Sequence, residues 1–373
     1  MKILEVTAFS AGICGVGTRA LAEAKMLAKQ GHEVHLFSSD IFRGTGENKT
    51  AVEEEEIENV KIKRFPTKFS FGNNTYFWNY EKQALKLKPD IIITHAYRQY
   101  YSTLALRISK KLKIPCFLVT HAPFLEKKLR SRRLNLAVYL YDKFIGSRIL
   151  NKYNKILAIT KWEIPYLLKL GAEKNKIEHI PNGIPEEFFK KPAKKNTNKI
   201  LFFGRIAPIK NLECLIKTMK NTRLKLDIIG PSEEKYKKQL LEIIKNQNIK
   251  NIRFLPPIYD LDKKIDLIDK YETFVLPSKR EAMPQALIEV MARGKIVISS
   301  KTQGGLEIIK NNENGFLFEI NNSNQLTKIL KKIQNLPEKQ KQLITKNARK
   351  SVEKYAWKNL IKKINKILVN TKI

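Results

Sequence analysis

The sequence predicts an α/β protein made of two doubly wound domains that face each other across a cleft. Three observations predict it. Strand and helix patterns alternate from the first residues, the alternation restarts after a polar stretch near residue 190, and short apolar strands are followed by Gly-containing turns and amphipathic helices. At 373 residues the chain exceeds the roughly 100–200 residues of one domain, so each half is long enough to bury its own core.

In the first half, Ile3 to Ala8 reads as a strand interrupted by Glu5. A Gly-containing turn, an amphipathic helix from about Thr18 to Lys29, Gly31 and a strand at Val34 to Ser38 complete a βαβ unit. The same grammar recurs at Asp90 to Thr94, at the helix Ser102 to Lys111, at Cys116 to Thr120 and at Ile156 to Ile159. Short buried strands separated by helices imply a parallel sheet covered on both faces. From Phe188 to Asn198 the chain is polar and poor in apolar residues, which marks a linker. The second half then runs through strand Ile200 to Phe203, helix Leu212 to Met219, strands Lys225 to Ile229, Ile252 to Leu255 and Thr273 to Leu276, helix Gln285 to Arg293 and strand Ile296 to Ser299. The domains are therefore expected at 1–190 and 199–352. Sheets of this kind bind ligands beyond the carboxyl ends of their strands.

Composition narrows the function. A formal net charge of +35 would suit nucleic acid, an anionic membrane or a phosphorylated ligand, but Lys is spread over nearly every polar face, as a bias toward Lys, Asn and Ile would produce. Clustering occurs at Lys127, Lys128, Arg130, Arg132 and Arg133. Cys14, Cys116 and Cys214 are too few for a disulfide framework and too far apart for a metal pattern, which fits a reducing cytoplasm. Neither a signal-peptide stretch nor a run of ~20 apolar residues is present, so any membrane contact is expected to be peripheral, at the inner face of the cell membrane.

Four segments carry chemistry. Pro277 to Glu289 follows the strand ending at Leu276, and Pro284 suits the first turn of a helix because its missing N–H is not needed there. Glu281 then lies in the loop and Glu289 more than a turn into the helix, while the N–H groups around Met283, Pro284, Gln285 and Ala286 favour a phosphate. The plainer alternative is a capping acid and a solvated helical Glu. After strand Leu201 to Phe203, Gly204-Arg205 and Lys210 place a planar fork and a movable point charge on one loop, suited to a diphosphate. Near the N-terminus, Gly12, Gly15 and Gly17 open a helix after the first strand, but the order is an incomplete dinucleotide fingerprint, with Asp40 as the nearest acid for one. His95 and His121 each end a strand, so both are expected to face the cleft; a lone His in such a core is more often structural, and neither has a zinc pattern.

With these segments in order, together with Gly31-His32-Glu33-Val34, Ile180 to Ile184, Pro277-Ser278 and Gly304-Gly305-Leu306-Glu307, the chain resembles the retaining glycosyltransferases of family 4, nearly end to end. The resemblance implies the GT-B architecture, two facing Rossmann-like domains, with a final segment 353–373 that includes Tyr355-Ala356-Trp357 and a helix crossing back to the first domain. It implies a nucleotide-sugar donor whose diphosphate is held by Arg205 and Lys210, whose sugar hydroxyls meet Glu281 and whose ribose meets Glu289. It places His121 beside the transferred sugar and the loop of Gly15 and Gly17 near the phosphates, and it implies no cofactor and no metal, the two cations replacing one. Cys14, Ala282-Met283, Pro256 and Ile296 depart from the family's usual residues, and Pro256 lies near the expected base pocket.

The acceptor, a glycan or a lipid-linked sugar, is expected at the first domain, where His95, Tyr97 and Arg98 stand with the aromatics Phe69, Phe71, Trp78, Tyr100 and Tyr101, which could equally be core. Lys127 to Arg133 precedes the apolar stretch Leu134 to Leu140 and could rest on an anionic membrane, or be a solvated loop before a packed helix. A GT-B sugar-nucleotide epimerase would share the architecture without using an acceptor. A basic nucleic-acid binder would explain the charge but not the ordered Arg205, Lys210, Glu281 and Glu289, so no nucleic acid is expected.

Overall fold

The computed structural model describes residues 1–12, 14–43, 51–71, 75–124, 130–190 and 197–371. They fall into two units: the first holds Met1–Arg43, Glu47–Gly183 and Lys358–Ile373, the second Ile184–Trp357.

The first unit contains β1 (Lys2–Gly12), β2 (Glu33–Arg43), β3 (Glu54–Ile57), β4 (Val60–Phe65), β5 (Phe69–Phe71), β6 (Thr75–Phe77), β7 (Ile91–His95), β8 (Cys116–Val119), β9 (Lys155–Ala158) and β10 (Ile177–His179). Eight of these form one sheet in the order β10-β9-β8-β7-β1-β2-β4-β3, parallel except at β3–β4, and β5–β6 is a separate hairpin. β1 is central and both its faces are covered, which is why Ile3, Leu4 and Val6 are all buried. Glu5 does not interrupt it: the residue pairs in register with Leu36 of β2 and Ile93 of β7 and is wholly buried. The edge strand β3 is nearly all glutamate and sits opposite Lys61 and Lys63 of β4, a charged edge that discourages further pairing. The helix Gly15–Lys29 starts before the expected Thr18, and Gly17 lets it approach β1, since a Cβ there would lie 2.2 Å from the Phe9 carbonyl oxygen.

The second unit contains β11 (Thr197–Phe203), β12 (Lys225–Ile229), β13 (Ile252–Leu255), β14 (Tyr271–Leu276), β15 (Ile296–Ser300) and β16 (Phe316–Phe318), all parallel in the order β13-β12-β11-β14-β15-β16. The units divide between Gly183 and Ile184, upstream of the expected 190. Ile184 N–H donates to Tyr355 and its carbonyl accepts from Trp357, while Arg293 binds the carbonyls of Phe188 and Lys190, so 184–190 belongs to the second unit. Of the expected linker, 191–196 lies outside the described residues. The last helix, Trp357–Thr371, joins the first unit from Lys358 onward: Leu360, Ile361, Ile364 and Leu368 are buried, and Asn365 lies 3.1 Å from His32.

In each sheet the strand order reverses beside the first strand, between β1 and β7 in one unit and between β11 and β14 in the other. Loops leaving such a reversal diverge and open a crevice. All three cysteines are free thiols. Among the described residues no helix is long and apolar enough to cross a membrane.

Candidate functional site

In the second unit the loops after β11 and β14 leave the reversal side by side. Asn211 takes the left-handed conformation at φ 54° and donates from its side-chain amide to the Pro277 carbonyl at 3.0 Å, while Lys279 N–H donates to the Ile209 carbonyl at 2.9 Å. Those two bonds lock the loops together and set Lys210 Nζ 2.6 Å from Glu281 Oε1, which also accepts from Ser278 Oγ at 2.6 Å. Arg205 sits on the same loop as Lys210 and reaches Glu233 at 3.1 Å, with both side chains open to solvent. Gly304 closes on this loop from the next helix, Gln303–Ile308; its N–H donates to the Glu281 carbonyl, and a Cβ would lie 2.5 Å from the Ala282 oxygen.

Pro284 stands at the cap of the helix Gln285–Ala292 rather than inside its first turn, and Met283 and Pro284 are buried while Gln285 and Ala286 are half-buried. Glu289 is not a solvated helical acid. It is 5% exposed, accepts from the Gln285 side chain at 3.2 Å and pairs with Lys264, whose ammonium lies 5.2 Å from the Phe203 ring centre. A cavity of about 430 Å³ opens beyond the ends of β12 and β13, lined by Ile206, Gly230, Pro231, Phe254, Pro256 and Pro257. Gly230 makes the loop packing there possible, because a Cβ at its φ of +147° would meet the Gly204 carbonyl oxygen at 2.0 Å.

In the first unit His95 and His121 come together, His95 Nδ1 lying 3.1 Å from His121 Nε2, and His95 Nε2 continues to Glu5 Oε2 at 2.7 Å. His95 and Glu5 are wholly buried, whereas His121 is half-buried. Burial pushes His121 down to about 3, with the Arg19 charge acting in the same direction, and it holds His95 well below the ordinary imidazole value. Arg19 and Glu23 form a buried pair at 3.0 Å on the helix Gly15–Lys29, and Arg19 also donates to the carbonyls of Ile180 and Pro181. Gly15 faces open space, whereas Gly17 serves the packing of that helix on β1.

Tyr97 and Arg98 have other partners. Arg98 makes two bonds to Asp142, at 2.8 and 2.6 Å, and donates to the Pro123 carbonyl, while the Tyr97 hydroxyl donates to Asp142 at 3.1 Å. Both therefore anchor the segment around Asp142. Trp78, Tyr97 and Tyr101 are core, while Phe69 and Tyr100 are exposed and form an aromatic cluster with Phe77. Asp40 accepts from Thr67 at 3.1 and 2.9 Å. Glu5, Glu233 and Lys264 were not singled out by the sequence. A Glu between Leu4 and Val6 in a two-sided strand was the available signal for Glu5; Glu233 and Lys264 have none among so many surface charges. Among the described residues no three His, Cys, Asp or Glu side chains cluster so as to hold a metal ion.

The helix Arg132–Tyr141 is not packed inside the unit. None of its residues is buried, Ser131 caps it by accepting from Leu134 N–H, and Leu136 and Tyr139 are more than half exposed. Lys127 and Lys128 lie outside the described residues.

Comparison with known proteins matches residues 183–351 to the family model of glycosyl transferases group 1 and residues 13–188 to that of glycosyltransferase family 4. An uncharacterised glycosyltransferase of Methanocaldococcus jannaschii is 27% identical over 83% of this chain and 84% of its own. The UDP-Gal:alpha-D-GlcNAc-diphosphoundecaprenol alpha-1,3-galactosyltransferase of Escherichia coli is 25% identical over 77% of this chain and 76% of its own. Among solved structures, HepE of Anabaena in complex with UDP and glucose superposes with a TM-score of 0.77 at 16% identity, covering 99% of this chain and all of that one.

Proposed function

The chain belongs to the group 1 glycosyl transferases and has their GT-B fold, and from that premise we propose that it is a retaining enzyme that moves a sugar from a nucleoside-diphosphate donor to a glycan or lipid-linked acceptor. The carrying observation is the pair of cations on one loop at the strand reversal, Arg205 and Lys210, with Lys210 held 2.6 Å from Glu281. An ammonium has three donors, so Glu281 can orient Lys210 while two remain for phosphate oxygens. Arg205 adds a planar fork at the other end of the loop. Glu281 then meets the sugar hydroxyls, Glu289 the ribose, the loop at Gly15 and Gly17 approaches the phosphates, and the cavity at Pro256 takes the base.

As the C1–O bond to phosphate breaks, charge grows on the departing diphosphate, and preset cations stabilise that charge more than they stabilise the ground state. The acceptor oxygen bonds C1 on the same face, and its proton passes to the departing phosphate oxygen. Arg205 and Lys210 supply the charge a metal would otherwise bring, so turnover needs no added metal. A UDP complex of a structural neighbour and a UDP-galactose-using relative favour a uridine donor.

A lipid-linked acceptor is favoured by the exposed helix Arg132–Tyr141. Its apolar side chains and those of Phe144 and Ile145 stand in solvent beside Arg132, Arg133 and Lys143, the pattern of a surface that rests on an anionic membrane. The first test is a thermal-shift screen of UDP, GDP, ADP and their sugars on wild type and Arg205→Ala. One nucleotide should stabilise wild type and not the variant; stabilisation by none at saturating concentration contradicts the donor site. Proton NMR of the first-formed product anomer tests retention. Liposomes of anionic lipid at low salt should carry the protein in flotation, and absence of binding rejects the membrane contact.

A further inference from the structure

Glu5, His95 and His121 form a continuous hydrogen-bonded chain, wholly buried at Glu5 and His95 and half-buried at His121, that the transfer scheme above leaves unused. The links are 2.7 Å from Glu5 Oε2 to His95 Nε2 and 3.1 Å from His95 Nδ1 to His121 Nε2. A neutral imidazole donates from one nitrogen and accepts at the other, so the direction of the first bond fixes every later one. An ionised Glu5 would accept from His95 Nε2–H, His95 Nδ1 would accept from His121 Nε2–H, and His121 Nδ1 would be left as an acceptor. A neutral Glu5 reverses the whole chain.

Several observations choose the neutral form. Glu5 Oε1 is buried with no hydrogen-bond partner, which is costly for a carboxylate and much less so for the carbonyl oxygen of an acid. The charged groups that face the chain are Arg19 and Glu23, and they are already paired with each other at 3.0 Å. Burial, then the charge of Glu23, hold the Glu5 carboxyl well above the usual carboxylate range against the pull of Arg19, and burial lowers both imidazoles. The orphaned Oε1 and the raised carboxyl both favour the acid form of Glu5, and the lowered imidazoles favour the neutral form of each histidine. The backbone at the open end is also constrained: His121 and Ala122 take left-handed φ of 58° and 46°, a conformation sparsely populated by non-glycine residues.

We propose that Glu5 is a positioning residue: as a neutral acid it donates to His95 Nε2, His95 donates from Nδ1 to His121 Nε2, and His121 is left with Nδ1–H as a fixed hydrogen-bond donor to an oxygen of the sugar donor. This rests on the reading that His121 lies beside the transferred sugar. A preset donor of fixed direction needs no reorganisation when the transition state forms, unlike an imidazole free to change tautomer.

Two measurements test it. Nitrogen-15 NMR of histidine-labelled protein, with five histidines to assign, should show both His95 and His121 protonated at Nδ1 at pH 7; protonation of His95 at Nε2 overturns the proposal whatever the protein's substrate is. In steady-state kinetics Glu5→Leu, which fills the space but donates nothing, should lower kcat about 10- to 100-fold with little change in KM for the nucleotide sugar. Glu5→Gln, whose amide N–H can still donate to His95, should stay within about 5-fold of wild type. Equal kcat for Glu5→Leu and wild type overturns the positioning role. Loss of nucleotide-induced stabilisation in wild type itself would instead refute the donor site and leave the tautomer result standing. Should Glu5→Leu not fold, the tautomers of wild type decide alone.

Discussion

The ionisable groups at the two strand reversals are arranged in opposite ways. In the second unit Arg205 and Glu233 stay in contact with water, and Lys210 and Glu281 are only partly covered, with side chains 21% and 11% exposed. In the first unit Glu5 and His95 have no exposed surface and, among the described residues, pair with no outside charge. A cation that is still hydrated remains charged and can exchange a carboxylate neighbour for a phosphate, because little desolvation has been spent on it. A group taken wholly out of water with no opposite charge paired to it is pushed toward its neutral form instead and is left with direction, through hydrogen bonds. Under the proposed scheme labour is divided: one set of residues would supply charge and the other geometry.

The largest effect should come from removing charge. Lys210→Ala and Arg205→Ala are each expected to lower kcat/KM for the nucleotide sugar by about 10²- to 10³-fold, read by steady-state kinetics, with loss of nucleotide-induced stabilisation. A loss below about 10-fold for both would erase the contrast between the units. Next, Glu281→Ala should lower turnover of the sugar-bearing donor by about 10-fold or more while weakening plain nucleoside diphosphate far less, since a hydroxyl contact is absent in the latter. Equal weakening of the two ligands, measured by calorimetry, contradicts the contact.

A third effect concerns stability and belongs to the buried unit. Glu163, buried and accepting from Thr160 N–H at 3.0 Å, is raised to about 7, chiefly by burial and against hydrogen bonds that lower it. The folded protein thus holds this proton where the unfolded chain has released it. Its contribution is fully present below the ordinary Glu value and is lost as pH rises to about 7. Relative to wild type, Glu163→Gln should therefore gain stability between pH 4.5 and 7, by up to ~3 kcal/mol, and remain level above it; a parallel pair of Tm curves contradicts this. The lowered His121 acts in the opposite sense, with stability present above about pH 6.5 and lost as pH falls toward 3, so the comparison needs the variant and not the wild-type curve alone. The smallest effect should be at the exposed helix: Leu136→Asp should reduce liposome flotation several-fold with turnover of a water-soluble acceptor unchanged.

Much of the fold was legible because its signals are local. Strands β12 and β13 and the helix Leu212–Met219 stand where the apolar periodicity puts them, since their side chains report burial directly. Short or charged strands were not legible: β3 is nearly all glutamate and β16 has three residues, so neither shows a period. The unit boundary was misplaced for a related reason, because the residues that tie 184–190 to the second unit, Tyr355, Trp357 and Arg293, lie more than a hundred positions away.

The sequence by itself determined the alternation of strands and helices, the family, and the candidates Arg205, Lys210, Glu281, Glu289 and His121, because residue type and position after a strand are properties of the chain alone. Only the tertiary structure decided which of these meet. The pairing of Lys210 with Glu281 spans two strands that are adjacent in the sheet and far apart in sequence, and Arg98 is taken up by Asp142 in the same way. Glu5 is the sharpest case: as a letter it is an acid breaking an apolar run, and only burial on both faces of β1 beside His95 raises its carboxyl and makes it a link in a hydrogen-bonded chain. Burial sets the charge of a side chain, and burial depends on what the rest of the fold brings to it.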